Sequence, residues 1–208
     1  MSGKTVNFLI VGVGGQGALL FSNVLSEVGV RAGFDVKKTE VHGMSQRGGS
    51  VNSHVRWGNS VRSPVIAEGE VDYLLALEKL EALRYLDMLD PGAVVLVGDF
   101  RIDPLAVSAG EAEYPDDETI RSTLAQVSER VHFIPTVTTA DALGNSRAHN
   151  MVLLGALSAL LLDLPVETWM EVMGERLPEK HVPLNRRAFQ AGREALRSLI
   201  AEETERTA

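Results

Sequence analysis

Two short stretches of the chain carry residue types and spacings suited to holding an anion. The first is GVGGQGALLFSNVL, in which Gly12, Gly14 and Gly17 follow an apolar run and precede an amphipathic one. Glycines at such a junction let the backbone turn tightly and aim N–H groups at whatever lies over the following helix, which favours phosphate. The same spacing also suits a tight turn with close helix packing, so it leaves open a dinucleotide, another phosphate ligand, or none. The second stretch is HGMSQRGGS, from His42 to Ser50. There Arg47 can fork two N–H donors onto a phosphate while Gly48, Gly49 and Ser50 offer backbone N–H groups to the same anion.

A dinucleotide site wants an acidic residue on the next strand, roughly 20 residues on, to hold the ribose hydroxyls. Glu40 lies near that place, flanked by Lys37 and Lys38, so a stand-alone NAD(P) dehydrogenase is one reading. Other chemistries find little support. His42, His54, His132, His149 and His181 show no HxxxH or HExxH spacing, which argues against a metal site. There is no GxSxG elbow, and Ser45 or Ser50 as nucleophile would need a base that no motif identifies. No cysteine occurs, which removes disulfides, thiolate nucleophiles and cysteine-ligated iron–sulfur clusters. The chain lacks a self-contained catalytic constellation, so no catalytic residue is assigned.

The elements that must position the two stretches are legible from periodicity. VNFLIVG reads as a fully buried strand, and Phe21, Val24, Leu25 and Val28 at helical spacing predict a helix over 17–32, closed by Gly33. FDVKKTEV and VNSHVRWG read as strands two and three, with a linker too short for a crossover helix, so the third pairs antiparallel or lies at an edge. VDYLLAL is a further buried strand; EKLEALRYLDML predicts a helix stopped by Asp90-Pro91-Gly92; AVVLVGD is another buried strand. Residues 101–115 look irregular, DDETIRSTLAQVSERV helical and HFIPTV extended. Met151 to Leu162 is apolar all round and predicts a helix sandwiched between other elements, with two amphipathic helices after it. The expected fold is α/β and Rossmann-like: one domain over residues 1–208, a mostly parallel sheet flanked by helices, and a helical C-terminal segment.

Composition agrees with such a domain. The chain has 208 residues, 45% hydrophobic and 23% charged, the ordinary balance of a globular protein. With 20 basic against 28 acidic side chains the formal charge is −8, which repels nucleic acid and anionic membrane surfaces. The N-terminal apolar run is too short for a signal sequence and Met151 to Leu162 too short for a span, so a cytoplasmic location is expected.

GVGGQG with its helix, followed by VKKTEVHGMSQRGGSVNSHVRWG, closely resembles the gamma-type subunits or domains of 2-oxoacid:acceptor (ferredoxin) oxidoreductases. Weaker echoes in NMVLLGAL and LNRRAFQAG extend the similarity over nearly the whole chain. The resemblance implies a subunit of an enzyme that oxidatively decarboxylates a 2-oxo acid, here indolepyruvate or another aryl pyruvate, to an acyl-CoA. Thiamine diphosphate and iron–sulfur clusters would sit in a larger partner subunit that passes electrons to ferredoxin, while the isolated chain could form a homodimer. It further implies that Gly12, Gly14, Gly15, Gln16 and Gly17, with Ser45, Gln46, Arg47, Gly48 and Gly49, face coenzyme A phosphates or the partner subunit. A purely structural interaction subunit is the remaining alternative.

Overall fold

The computed structural model describes residues 5–42 and 49–207, so Ser45, Gln46, Arg47 and Gly48 of the second stretch lie outside the described residues. The strands are β1 (Val6–Val13), β2 (Asp35–His42), β3 (Ser50–Gly58), β4 (Val71–Ala76), β5 (Leu89–Gly98) and β6 (Arg130–Ile134). They form a six-stranded sheet in the order β2-β3-β1-β4-β5-β6. β1, β4, β5 and β6 pair in parallel, whereas β3 runs antiparallel to both β1 and β2. β2 therefore points the same way as β1 but is held one strand further out.

The helices are α1 (Ala18–Arg31), α2 (Lys79–Leu83), α3 (Leu105–Ser108), α4 (Asp117–Ala125), α5 (Thr136–Ala142), α6 (His149–Leu160), α7 (Val166–Arg176) and α8 (Val182–Thr207). They cover both faces of the sheet, which is why the central strands are apolar without a break. On β1, Phe8 and Ile10 join the core under α1, α6, α7 and α8, and Leu9 and Val11 join a second, smaller core under α2 and α4. β3 is different: Val55 and Trp57 are fully buried against the larger core, while Asn52 and Arg56 keep the opposite face polar.

The all-apolar segment forms α6, which touches β5, α1, α5 and α8. Its contact with α8 is a reciprocal glycine crossing. A Cβ on Gly155 would lie 1.9 Å from the Phe189 carbonyl oxygen, and one on Gly192 would lie 1.8 Å from that of Val152. Only hydrogen fits at either place.

Three local expectations are corrected. The helix expected through EKLEALRYLDML is α2 alone, followed by a 3-10 turn at Leu86–Met88, and Leu89 already begins β5. Asp90-Pro91-Gly92 therefore lies within the start of a strand, at the β4–β5 register shift, instead of after a helix. HFIPTV is strand only to Ile134, because Pro135 opens α5. In α4, Ile120 and Leu124 are buried as expected, but the helix ends at Ala125 and leaves Val127 37% exposed.

Candidate functional site

β1 delivers the glycine turn at the carboxyl end of the sheet. Gly15 (φ +106) and Gly17 (φ +84) occupy left-handed backbone conformations that side chains with a Cβ adopt at a cost. Gly17 is the N-cap of α1, which receives no side-chain cap and has no acidic residue in its first turn. The N–H groups at that end are thus left for another acceptor. Gly15 has open space around it, with no heavy atom within 4 Å of a built Cβ.

Other parts of the motif face inward. Gln16 is 6% exposed; its Oε1 accepts from Val13 N at 2.8 Å and its Nε2 donates to the Leu77 carbonyl at 3.0 Å. The side chain expected to face a ligand braces the turn against the end of β4 and also borders the cleft on the α6 side. Gly12 is buried, and a Cβ there would come within 2.9 Å of Gln16 Oε1 and 3.1 Å of Leu77 Cβ, so it makes room for that brace. Asn150, from α6, donates to the Gly17 carbonyl at 3.3 Å.

The two stretches expected to act together do meet. Gly14 N donates to the Gly49 carbonyl at 2.9 Å, and Val13 is in register with Ser50. The segment between β2 and β3 therefore has its described ends at the edge of the sheet where the glycine turn sits. Ser50, the first residue of β3, donates to Glu81 Oε2. Asn52 Nδ2 donates to the Tyr85 hydroxyl at 3.0 Å. Glu81 also accepts from Arg84 Nε at 2.9 Å, and burial raises its carboxyl pKa, with Ser50 and Arg84 opposing the shift and nearby Glu78 adding to it.

Two clefts flank the turn and share Gly14, Gly15 and Gly17. One, of about 530 Å³, lies toward Leu19 and the start of β3 at Val51 to Ser53. The other, of about 490 Å³, lies toward α6 and is lined by Gln16, Leu20, Phe100, Ile102, Arg147 and His149, the Phe100 and His149 rings touching at 5.0 Å between centroids. Both volumes suit a small-molecule site. His149 is 4% exposed and its Nδ1 has no hydrogen-bond partner. Burial pulls its pKa down to about 4, with Asp99 opposing, so the ring is neutral near pH 7. The α6 side of this cleft carried no motif in the sequence; Arg147 and His149 stand in an ordinary polar connection, and only the packing of α6 brings them to the turn.

Glu40 is not placed as a ribose-binding acid would be. It lies on β2, opposite Ser53 of β3, and accepts from Lys38 Nζ at 2.6 Å. The intervening β3 sets it roughly 9–10 Å from β1, two strand spacings away. Among the described residues no group of His, Asp and Glu could hold a metal ion, and no helix is long and apolar enough to cross a membrane.

The pyruvate ferredoxin/flavodoxin oxidoreductase family matches residues 7–195 of the chain. The chain belongs to this family. The indolepyruvate oxidoreductase subunit IorB of Archaeoglobus fulgidus is 40% identical over 188 residues, covering 90% of this chain and 93% of that protein. IorB of Thermococcus kodakarensis is 38% identical over 199 residues, covering 95% and 98% respectively. Among solved structures, the keto/oxoacid ferredoxin oxidoreductase gamma subunit from Geobacter sulfurreducens matches with a TM-score of 0.69 at 26% identity, covering 93% of this chain and 99% of that one. The fold also occurs in the 2-oxoglutarate:ferredoxin oxidoreductase from Magnetococcus marinus, solved with 2-oxoglutarate, coenzyme A and succinyl-CoA bound. That match has a TM-score of 0.71 at 22% identity and covers 95% of this chain and 32% of the other. This chain is thus similar to separate short subunits, and its fold also occurs as one region of a longer chain.

Proposed function

We propose that the chain is the small subunit of a cytoplasmic 2-oxoacid:ferredoxin oxidoreductase acting on indolepyruvate or another aryl pyruvate, and that it holds coenzyme A for the acyl transfer. The observation that carries this reading is the uncapped N-terminus of α1, tied through Gly14 to Gly49, two residues along the chain from Arg47. Backbone N–H groups around Gly14, Gly15 and Gly17 would meet the diphosphate, and Ser45, Gln46, Arg47, Gly48 and Gly49 would face the coenzyme A phosphates or the partner subunit. Gly12 and Gln16 hold the turn in shape. Coenzyme A, when bound, supplies the thiol that accepts the acyl group.

The other groups of such an enzyme do not fit this chain. It has no thiolate for an iron–sulfur cluster, and the described residues hold no carboxylate cluster for a divalent ion with thiamine diphosphate. A larger partner subunit would carry both and reduce ferredoxin. Co-expression of the two chains should give a complex with indolepyruvate-dependent and coenzyme A-dependent acceptor reduction. Turnover by the lone chain, without partner or thiamine diphosphate, would refute the proposal. So would tight binding of NADH that is lost in Glu40→Ala.

A further inference from the structure

We infer that the outer edge of β2 pairs with β2 of a second copy of this chain, antiparallel and centred on Thr39, so that the two sheets run on into one another. The inference stands apart from the coenzyme A reading. β2 ends the sheet on one side and pairs only with β3. Among the described residues no backbone hydrogen bond meets its outer side, which leaves a row of N–H and C=O groups along Asp35–His42 able to template another strand. β6, at the other edge, runs only from Arg130 to Ile134, and a short edge is a poor template. Lysines on an edge ordinarily deter pairing, but those of β2 are neutralised within the chain. Lys37 pairs with Asp35, and Lys38 Nζ donates to Glu40 Oε1 at 2.6 Å and to Asn23 Oδ1 at 2.5 Å.

The residues of the strand select the register. Two identical strands paired antiparallel across a two-fold axis keep each face on its own side, so the residue at the axis meets its own copy and its neighbours meet in exchange. An axis at Lys37, Lys38 or Glu40 would set like charge against like, which destabilises a pair. An axis nearer either end would pair only a few residues. With the axis at Thr39 the two threonines face each other, Lys38 of each copy meets Glu40 of the other, and Lys37 meets Val41. Opposite charges and paired threonines are favourable cross-strand neighbours, and Val41, more than half exposed in the single chain, is covered. α1 fits the same axis. Its flank turned away from α7, which Glu27 and Arg31 meet through Arg176 and Glu175, carries Leu19 and Val30, each more than half exposed. Asn23 stands between them and holds Lys38. Because Asn23 lies near the middle of α1 and Lys38 near the middle of β2, the axis that joins the strands also turns Leu19 of one copy toward Val30 of the other. Exposed apolar side chains, complementary charge and open backbone thus coincide along one edge, and an isologous contact of this kind closes as a dimer.

The test uses the full chain, which has no cysteine of its own. In Thr39→Cys the introduced thiols would face each other with Cα atoms about 4.5–5.5 Å apart, within the span of a disulfide, so mild oxidation should give a covalent dimer. Val41→Cys is the register control: its two copies would lie about 13–14 Å apart along the pair and should not cross-link. Sedimentation of the wild type at about 100 µM should show twice the chain mass. Lys38→Glu turns both exchanged pairs from attraction to repulsion and should weaken the dimer about tenfold, and adding Glu40→Lys should restore it. Circular dichroism checks the folding of each variant, and the two cysteine variants decide if Lys38→Glu does not fold. A monomeric wild type, a Thr39→Cys chain that fails to cross-link or links no more readily than Val41→Cys, or a dimer indifferent to a folded Lys38→Glu would overturn the inference. Cross-linking of Thr39→Cys to a co-expressed larger subunit in place of its own copy would overturn it too, by showing a different occupant.

Discussion

Replacing Gly155 by alanine sets two magnitudes against each other, and the structure decides the sign. On helix propensity alone the change should stabilise α6 by about 1 kcal/mol. However, the new Cβ would lie 1.9 Å from the Phe189 carbonyl oxygen, 2.8 Å from its carbon and 3.0 Å from its Cα, all backbone atoms of α8. Relieving this needs the two helices to part by about 1 Å, and a gap of that size forfeits a quarter to a half of each dispersion contact across the interface. Overpacking of this kind costs about 1–3 kcal/mol and sometimes more. Because the obstacle is rigid backbone, the upper end applies, leaving a net loss of about 2 kcal/mol after the propensity gain. For a chain of this length the melting temperature should fall by about 4–8 °C. Gly174→Ala is the matched control: its Cβ would meet only Arg186 Nη2, at 3.0 Å, the far end of a flexible side chain, so the melting temperature should hold or rise by about 2–4 °C. Scanning calorimetry of both variants reads the difference directly. A Gly155→Ala chain that melts at or above the wild type would refute the reasoning.

Three further outcomes are expected. Burial holds the His149 pKa at about 4 in the folded chain, below its ordinary value of 6.5, so its contribution is complete above about pH 6.5 and is lost as the pH falls toward 4. The loss amounts to about 3 kcal/mol, and urea midpoints should drop over that window in the wild type but much less in His149→Gln; parallel pH profiles would contradict this. Gln16→Ala strands Val13 N and the Leu77 carbonyl, which should cost about 2–4 kcal/mol in denaturant titrations and loosen the glycine turn in hydrogen exchange. Gly17→Ala combines a φ of +84 with a Cβ 2.3 Å from Asn150 Nδ2, whereas Gly15→Ala faces open space. Both should weaken coenzyme A binding, but Gly17→Ala should lose clearly more stability, and equal melting temperatures would count against that distinction.

Elements with a long, unambiguous period were legible in the sequence, and the site was legible only in part. β1 and α1 follow from an apolar run and the stripe Phe21, Val24, Leu25 and Val28, all fully buried. The stretch EKLEALRYLDML misled, because its last leucines, Leu86 and Leu89, serve a 3-10 turn and the start of β5, which pattern alone cannot separate from a continuing helix. Gly14, Gly15 and Gly17 were located correctly as a turn. Yet the spacing could not tell that Gly12 and Gln16 support the turn from within, since that depends on the approach of Leu77 from β4. The place of Arg147 and His149 beside the turn was not legible for a similar reason: it depends on α6 packing against α1, where Asn150 reaches the Gly17 carbonyl.

Trp57 gives the hairpin β2–β3 a consequence far from itself. Its indole is fully buried, lies so close under Gly29 of α1 that a Cβ there would come within 2.5 Å, and stacks against Phe34. A slip of β3 by one residue would turn that ring to solvent along with Val55, so the register admits a single setting. Ser50 lies seven residues back along the same strand, roughly 23 Å away. The mouth of the glycine turn is therefore aligned from the opposite end of the sheet, as a key is aligned by its shoulder. Substitutions at Trp57 or Gly29 should misplace Gly49 and Ser50 against the glycine turn without touching any residue beside the ligand.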